Sequence, residues 1–138
     1  MTNGLNYLAL ARKAGLAELG EEPVGAAARK GKAYLIAVAG DASDHTWRRA
    51  KSYAAGTEQQ CIRLEATKDE MGFSVGRTSL AIAAITDPAM ALAMVKALGQ
   101  PEKYKEALET LTAKADRAKK RRSEAKAHQK NVRFGKKK

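Results

Sequence analysis

The chain has 138 residues, is 44% apolar but only 5% aromatic, and carries a formal charge of +11 at neutral pH. That length suits one domain with an appendage, no apolar run approaches the roughly 20 residues of a membrane span, and Met1-Thr2-Asn3-Gly4 lacks the pattern of a secretion signal. A single cysteine, Cys61, excludes an internal disulfide and a cysteine-only metal cage and fits a reducing cytoplasm.

Leu5, Leu8, Ala9 and Ala11 predict a first helix stopped by Gly15, followed by a short strand over 16–19. Gly20-Glu21-Glu22-Pro23 opens a second helix, with Pro23 placed at its first position and acids facing the positive end of the dipole. It runs to about Lys30 and ends at Gly31. The apolar run 34–39 is too short for a helix and is predicted as a buried strand. Asp41 or Ser43 caps the third helix, which carries Trp47, Arg48, Arg49 and Lys51 and stops at Gly56. A third strand is placed at 61–64. Thr67-Lys68-Asp69-Glu70 has capping-box spacing for a fourth helix, a fourth strand follows at 80–85, and Asp87-Pro88 starts a helix ended by Gly99.

Strands alternating with helices predict an α/β fold, a three-layer α-β-α sandwich around a mixed sheet of about four strands. The domain is placed at 1–100, and 101–138 is assigned to an extension, helical to about Ala127 and disordered over 131–138. Tyr104, Leu108 and Leu111 make a thin apolar stripe at its start. Charge divides sharply: residues 114–138 hold twelve bases and two acids, a net of +10, against fourteen bases and thirteen acids before them. Such a block gains by displacing counterions from a polyanion. Lys119-Lys120-Arg121-Arg122 puts four adjacent cations around one helix, and Phe134 beside Arg133 is an aromatic suited to stacking on an unpaired base.

Several segments have a familiar order and spacing: 8–15 (Leu-Ala-Leu-Ala-Arg-Lys-Ala-Gly), Gly20-Glu21-Glu22, 29–33 (Arg-Lys-Gly-Lys-Ala), 39–43 (Ala-Gly-Asp-Ala-Ser), Met71-Gly72 through Gly76-Arg77, and 83–87 (Ala-Ala-Ile-Thr-Asp). Across residues 5–98 the chain resembles the kink-turn RNA-binding ribosomal-protein superfamily, the L-seven-Ae and L-thirty-e group, and most closely its small bacterial YlxQ-like branch. The resemblance implies that the second helix start and a later loop form the RNA site. Members that bind kink-turns begin that helix Gly-Thr-Asn-Glu; here the positions hold Gly20, Glu21, Glu22 and Pro23, and a lysine often found one turn later is Ala26. A carboxylate in place of the amide removes two donors, and Pro23 has no side-chain hydrogen bond to give. The usual kink-turn contacts are therefore expected to be weakened. The later loop maps to Gly76, Arg77, Thr78 and Ser79.

Other chemistry is excluded on the residues. The 76–79 loop is no NTPase motif: Met71 stands where the first glycine belongs, Arg77 replaces lysine, and the loop follows a helix instead of a strand. Asp41, Asp44 and His45 read as a cap and an exposed first turn. Two histidines and one cysteine make no zinc site. Trp47 is expected to cover the sheet, with stacking on a base from its basic helix as the alternative, and Cys61 to pack as a neutral thiol. Arg29 and Lys30 suit a helix end, with phosphate contact as an added role.

The resulting expectation is a non-enzymatic, cytoplasmic, monomeric RNA-binding protein without cofactor or metal. Its partner is expected to be structured RNA, ribosomal RNA foremost, with ribosomal proteins as further contacts. The candidate residues are Gly20, Glu21, Glu22, Arg29, Lys30, residues 76–79, Lys119, Lys120, Arg121, Arg122, Arg133 and Phe134. Two alternatives are an RNA-recruiting module for a separate RNA-modifying enzyme and a protein-interaction module using the Leu108/Leu111 stripe.

Overall fold

Polar side chains cap the starts of three of the helices described below. The structure, a computed structural model, describes residues 4–135, with side chains described as far as Lys126. Among them six helices alternate with four strands: α1 (Leu5–Lys13), β1 (Ala17–Leu19), α2 (Glu21–Arg29), β2 (Leu35–Val38), α3 (Asp44–Ala54), β3 (Gln60–Arg63), α4 (Lys68–Ser74), β4 (Ile82–Ile85), α5 (Pro88–Ala97) and α6 (Lys105–Gly135). The expected capping box forms at α4: Thr67 Oγ1 accepts the Glu70 N–H at 3.1 Å, and Glu70 Oε1 accepts the Thr67 N–H at 3.0 Å. Asp87 Oδ2 accepts the Met90 N–H at 2.9 Å, with Pro88 at the first position of α5. Of the two caps considered for α3, Ser43 fills the role, accepting from Thr46 N–H at 3.2 Å. Asp41 reaches across to accept the Lys68 N–H at 2.8 Å and so holds the α4 start from a neighbouring loop.

One boundary differs. Helix α2 begins at Glu21, so Pro23 sits at its third position, not its first. An amide in the first turn has no intrahelical acceptor, so a proline there forfeits no hydrogen bond.

The sheet runs β1-β4-β2-β3, with β4 antiparallel to β1 and β2, and β3 parallel to β2. Strands β2 and β4 are buried at every position, which their near-continuous apolar sequences anticipate. Helices α2 and α3 pack on one another and on the sheet; α1 packs on α4 and α5, and α5 on α6. The result is the three-layer sandwich. Strand direction gives it two edges. The first, here the loop edge, gathers the C-terminal ends of β1, β2 and β3 and the start of β4, where Val38 faces both Ile82 and Arg63. The far edge joins the opposite ends, where Ile85 pairs with Ala17 and with Leu35.

Two features of the C-terminal segment correct the expectation. The core continues past residue 100: Tyr104, Ala107 and Leu111 are buried, and the Tyr104 hydroxyl donates to the Arg63 carbonyl at 3.0 Å. Leu108 packs against the same core. The stripe reserved for a partner is thus covered by the chain's own body, because α6 turns it onto α5 and β3. Helix α6 also runs past Ala127 to Gly135, consistent with the good helix formers Ala125, Ala127, Gln129 and Lys130. It lies antiparallel to β3: Tyr104 meets Arg63 at the loop edge, and Lys114 Nζ stands 3.2 Å from Glu58 Oε2 near the far edge.

A buried polar residue secures that far edge. Gln59 Oε1 accepts the Ala33 N–H at 2.9 Å and its Nε2 donates to the Ala28 carbonyl at 3.2 Å, tying the α2–β2 turn to the start of β3. Gln59→Leu is expected to leave both backbone groups unpaired and lower stability by about 1–3 kcal/mol. A urea titration checks this; a midpoint equal to that of the parent would remove the role.

Candidate nucleic-acid interface

Gly20 sits at φ +97° and ψ 162°, a region essentially closed to residues with a Cβ, and this lets the chain leave β1 and open α2 without an intervening loop. Its N–H donates to the Ile82 carbonyl at 3.0 Å. Glu21, next in line, is half-buried, with Oε1 3.9 Å from Arg49 Nε. Arg49 also donates to the Tyr53 hydroxyl at 3.1 Å, and that hydrogen bond, more than Glu21, holds its guanidinium protonated above the ordinary arginine range. Glu22 and Pro23 are exposed.

The second candidate loop reaches the same edge. Gly76, Arg77, Thr78 and Ser79 are all exposed. They fold back along α4, the Arg77 N–H donating to the Gly72 carbonyl at 2.8 Å and the Leu80 N–H to the Lys68 carbonyl at 2.9 Å. Gly72 permits this closeness, since a Cβ there would lie 2.7 Å from Ser79 Cα. The chain then enters β4 at Ile82, beside Gly20. The two segments implied by the superfamily resemblance therefore flank one strand end, Gly20 being bonded to Ile82, the third residue after the 76–79 loop.

Sequence reasoning missed one neighbour. Phe73, in the last turn of α4, is 76% exposed, and its carbonyl accepts the Gly76 N–H at 3.3 Å. A signal existed: Met71 and Gly72 turn inward, which sends Phe73 to the outer face of a short helix.

The loop edge mixes carboxylates at its helix starts with the cations Arg49, Arg63, Lys68 and Arg77. Helices α2, α3 and α4 all start there, and each brings the acids that favour a helix N-terminus: Glu21 and Glu22, Asp44, and Asp69 with Glu70. The fold does not bring every candidate residue together. Arg29 and Lys30 are exposed at the C-terminal end of α2, on the far edge, and Lys119, Lys120, Arg121 and Arg122 are exposed on α6 after it has passed Glu58. The side chains of Arg133 and Phe134 lie outside the described residues.

The remaining sequence candidates take structural places. Trp47 is half-buried against the core, its ring covered by Lys51 Nζ at 5.3 Å and the Arg63 guanidinium at 5.5 Å from the centroid. Burial pushes the Cys61 thiol up to about 12 against a smaller opposing effect of Lys51, so it stays protonated at physiological pH. Among the described residues no three His, Cys, Asp or Glu side chains cluster as metal ligands, and no helix is long and apolar enough to cross a membrane.

No known protein-family profile matches the chain, and no curated protein matches it in sequence. Solved structures do. A protein of unknown function from Bacillus halodurans C superposes with a TM-score of 0.67 at 19% identity, over 72% of this chain and all (100%) of that one. A 15.5kD RNA binding protein of Giardia lamblia superposes with a TM-score of 0.57 at 16% identity, covering 69% of this chain and 81% of that one. At these identities the likeness establishes the fold.

Proposed function

We propose that this chain is a non-catalytic, cytoplasmic binder of structured RNA whose loop edge reads unpaired bases while the basic segment of α6 holds backbone phosphates. The observation that carries the reading is the convergence of Gly20 and the exit of the 76–79 loop on Ile82. Carboxylates at the helix starts interrupt the cations of that edge, so it offers no continuous phosphate track, and contact there favours bases splayed away from the backbone. The exposed Phe73 ring offers a stacking platform, worth about 1–3 kcal/mol per base, Arg77 adds one cation, and carboxylates at Glu21 and Glu22 accept from base amino groups. Unstacked bases in loops and bulges are what proteins read in RNA. The fold shared with the Giardia RNA binding protein and the sequence resemblance to the L-seven-Ae group, YlxQ-like branch, support the same reading. Ribosomal RNA is the proposed partner. Glu22 and Pro23 shift the preferred motif away from the standard kink-turn.

A filter-binding comparison tests this, using an RNA hairpin with an asymmetric internal loop and the same hairpin fully paired. The parent chain is expected to prefer the first. Phe73→Ala and Arg77→Ala together should reduce that preference about tenfold, the equivalent of one lost stacked base. An unchanged preference would place recognition elsewhere.

A further inference from the structure

Strand direction sorts the body's charges, and the far edge collects cations. Helix α1 ends there in Arg12 and Lys13; the turn that follows is held to the end of β4 by Thr86 N–H donating to the Leu16 carbonyl at 2.8 Å. Helix α2 ends there too, in Arg29 and Lys30, and the chain passes through Lys32 into β2. All five are exposed. Cations at helix C-termini are favoured by the dipole alone, so these residues by themselves establish little.

Helix α6 supplies a second observation. At the far edge Lys114 Nζ stands 3.2 Å and Arg117 Nη2 3.8 Å from Glu58 Oε2, and the helix then continues past the body. Its inward row consists of Tyr104, Leu108, Leu111 and Ala115; at the same three- and four-residue spacing it continues as Lys119, Arg122 and Lys126. The face that is apolar over the core turns cationic where it overhangs the edge. These three cations line a cleft of about 400 Å³ with Ala89 of α5. A second cleft of about 290 Å³ runs along α2 from Pro23 to this edge, where Lys30, Lys32 and Thr86 line it. One acid enters each, Asp116 and Glu18, and both clefts hold more bases than acids. The nearby Asp87 carboxylate is committed to the Met90 N–H at 2.9 Å. Among the described residues, Lys119, Arg122 and Lys126 form no ion pair with the body.

We infer that the far edge is a second nucleic-acid surface, a track for the phosphate backbone of a paired RNA segment running from the Lys30–Lys32 turn to the Lys119/Arg122 stripe. The inference rests on the proposed RNA-binding reading for its choice of polyanion. It adds that the backbone is gripped at the end of the sheet opposite the base-reading loops. Lys119 lies about 22 Å along α6 from Tyr104, at 1.5 Å per residue. One RNA reaches both surfaces only by bending around the sandwich or by offering two arms.

Paired substitutions test the track on a fully paired RNA hairpin of roughly 20 base pairs, longer than the span a double-strand reader covers. Lys30→Gln/Lys32→Gln and Lys119→Gln/Arg122→Gln remove two charges each from the far edge. Lys96→Gln/Lys105→Gln removes two exposed charges from the end of α5 and the start of α6, toward the loop edge. Each far-edge pair is expected to lose about tenfold in affinity and to flatten the slope of log K against log salt by about 2, with less than about a twofold loss for the third pair. Lys30→Arg/Lys32→Arg should retain binding, which separates charge from folding. Equal losses for all three pairs would mean diffuse attraction and overturn the track, as would no loss in the far-edge pairs. Phe73→Ala/Arg77→Ala measured alongside separates the claims: lost preference there with both far-edge pairs intact sinks the track and the phosphate role of α6 but keeps the base-reading edge, a loss confined to Lys119→Gln/Arg122→Gln keeps the α6 role and sinks the track, and the reverse of the first sinks only the base-reading edge.

Discussion

Removal of residues 114–138 is expected to leave a folded body that binds RNA at least about 100-fold more weakly, whereas removal from residue 101 onward should abolish the fold. The first cut takes a net charge of +10 and a part of α6 whose described side chains, as far as Lys126, are mostly exposed. If about half of its cations meet phosphates, the salt slope falls by roughly 4 to 5. The second cut also strips Tyr104, Ala107 and Leu111 from the core and breaks the Tyr104–Arg63 hydrogen bond. Truncating one buried leucine to alanine costs about 2–5 kcal/mol, and a domain of this size has only about 5–15 kcal/mol to lose. Circular dichroism, thermal melting and filter binding on both truncated chains check the pair. An RNA affinity untouched by the first cut would remove α6 from the binding account. A stable chain ending at residue 100 would mean that the helix start is dispensable.

Gly72→Ala is expected to uncouple the loop edge from the rest of the protein. The added methyl would stand 2.7 Å from both Cα and N of Ser79 and 2.9 Å from the Arg77 carbonyl oxygen. All three are backbone atoms with no rotamer to relieve the clash, so the 76–79 loop must move. Overpacking of this kind costs about 1–3 kcal/mol, seen as a lower melting temperature. The larger consequence is functional: preference for the internal-loop hairpin should disappear, while affinity for the fully paired hairpin, held at the far edge, should persist. An alanine variant that keeps both its stability and its preference would show that the loop's place against α4 is immaterial.

Much of the fold is legible in the chain because its punctuation is local. Thr67 with Glu70, Asp87 with Pro88, and the apolar runs of β2 and β4 each state their own structure within a few residues. The cap at Asp41 is a different case. The residue types allow it to serve α3, and only the folded chain shows its carboxylate on Lys68, an amide distant in sequence. The same limit hides how the core continues past residue 100. Gln100-Pro101 looks like a linker, and nothing local to Tyr104 says that its hydroxyl will meet Arg63. The candidate residues were found by type and motif, but their division between two edges is set by strand direction. Arg29 and Lys30 belong to the same helix as Gly20 and Glu21, and the length of that helix puts them at opposite ends of the sheet. A lone aromatic in a short helix carries no local sign of its face, and only the inward placing of Met71 and Gly72 shows Phe73 on the outside.

Ultraviolet crosslinking of the full chain to a structured RNA with an asymmetric internal loop, followed by mapping of the crosslinked peptides, tests the central claim most directly. The expected result is crosslinks on the peptide spanning Phe73 to Ser79, lost when the internal loop is closed by pairing. Crosslinks that avoid this peptide, or that are the same for the paired hairpin, would contradict it.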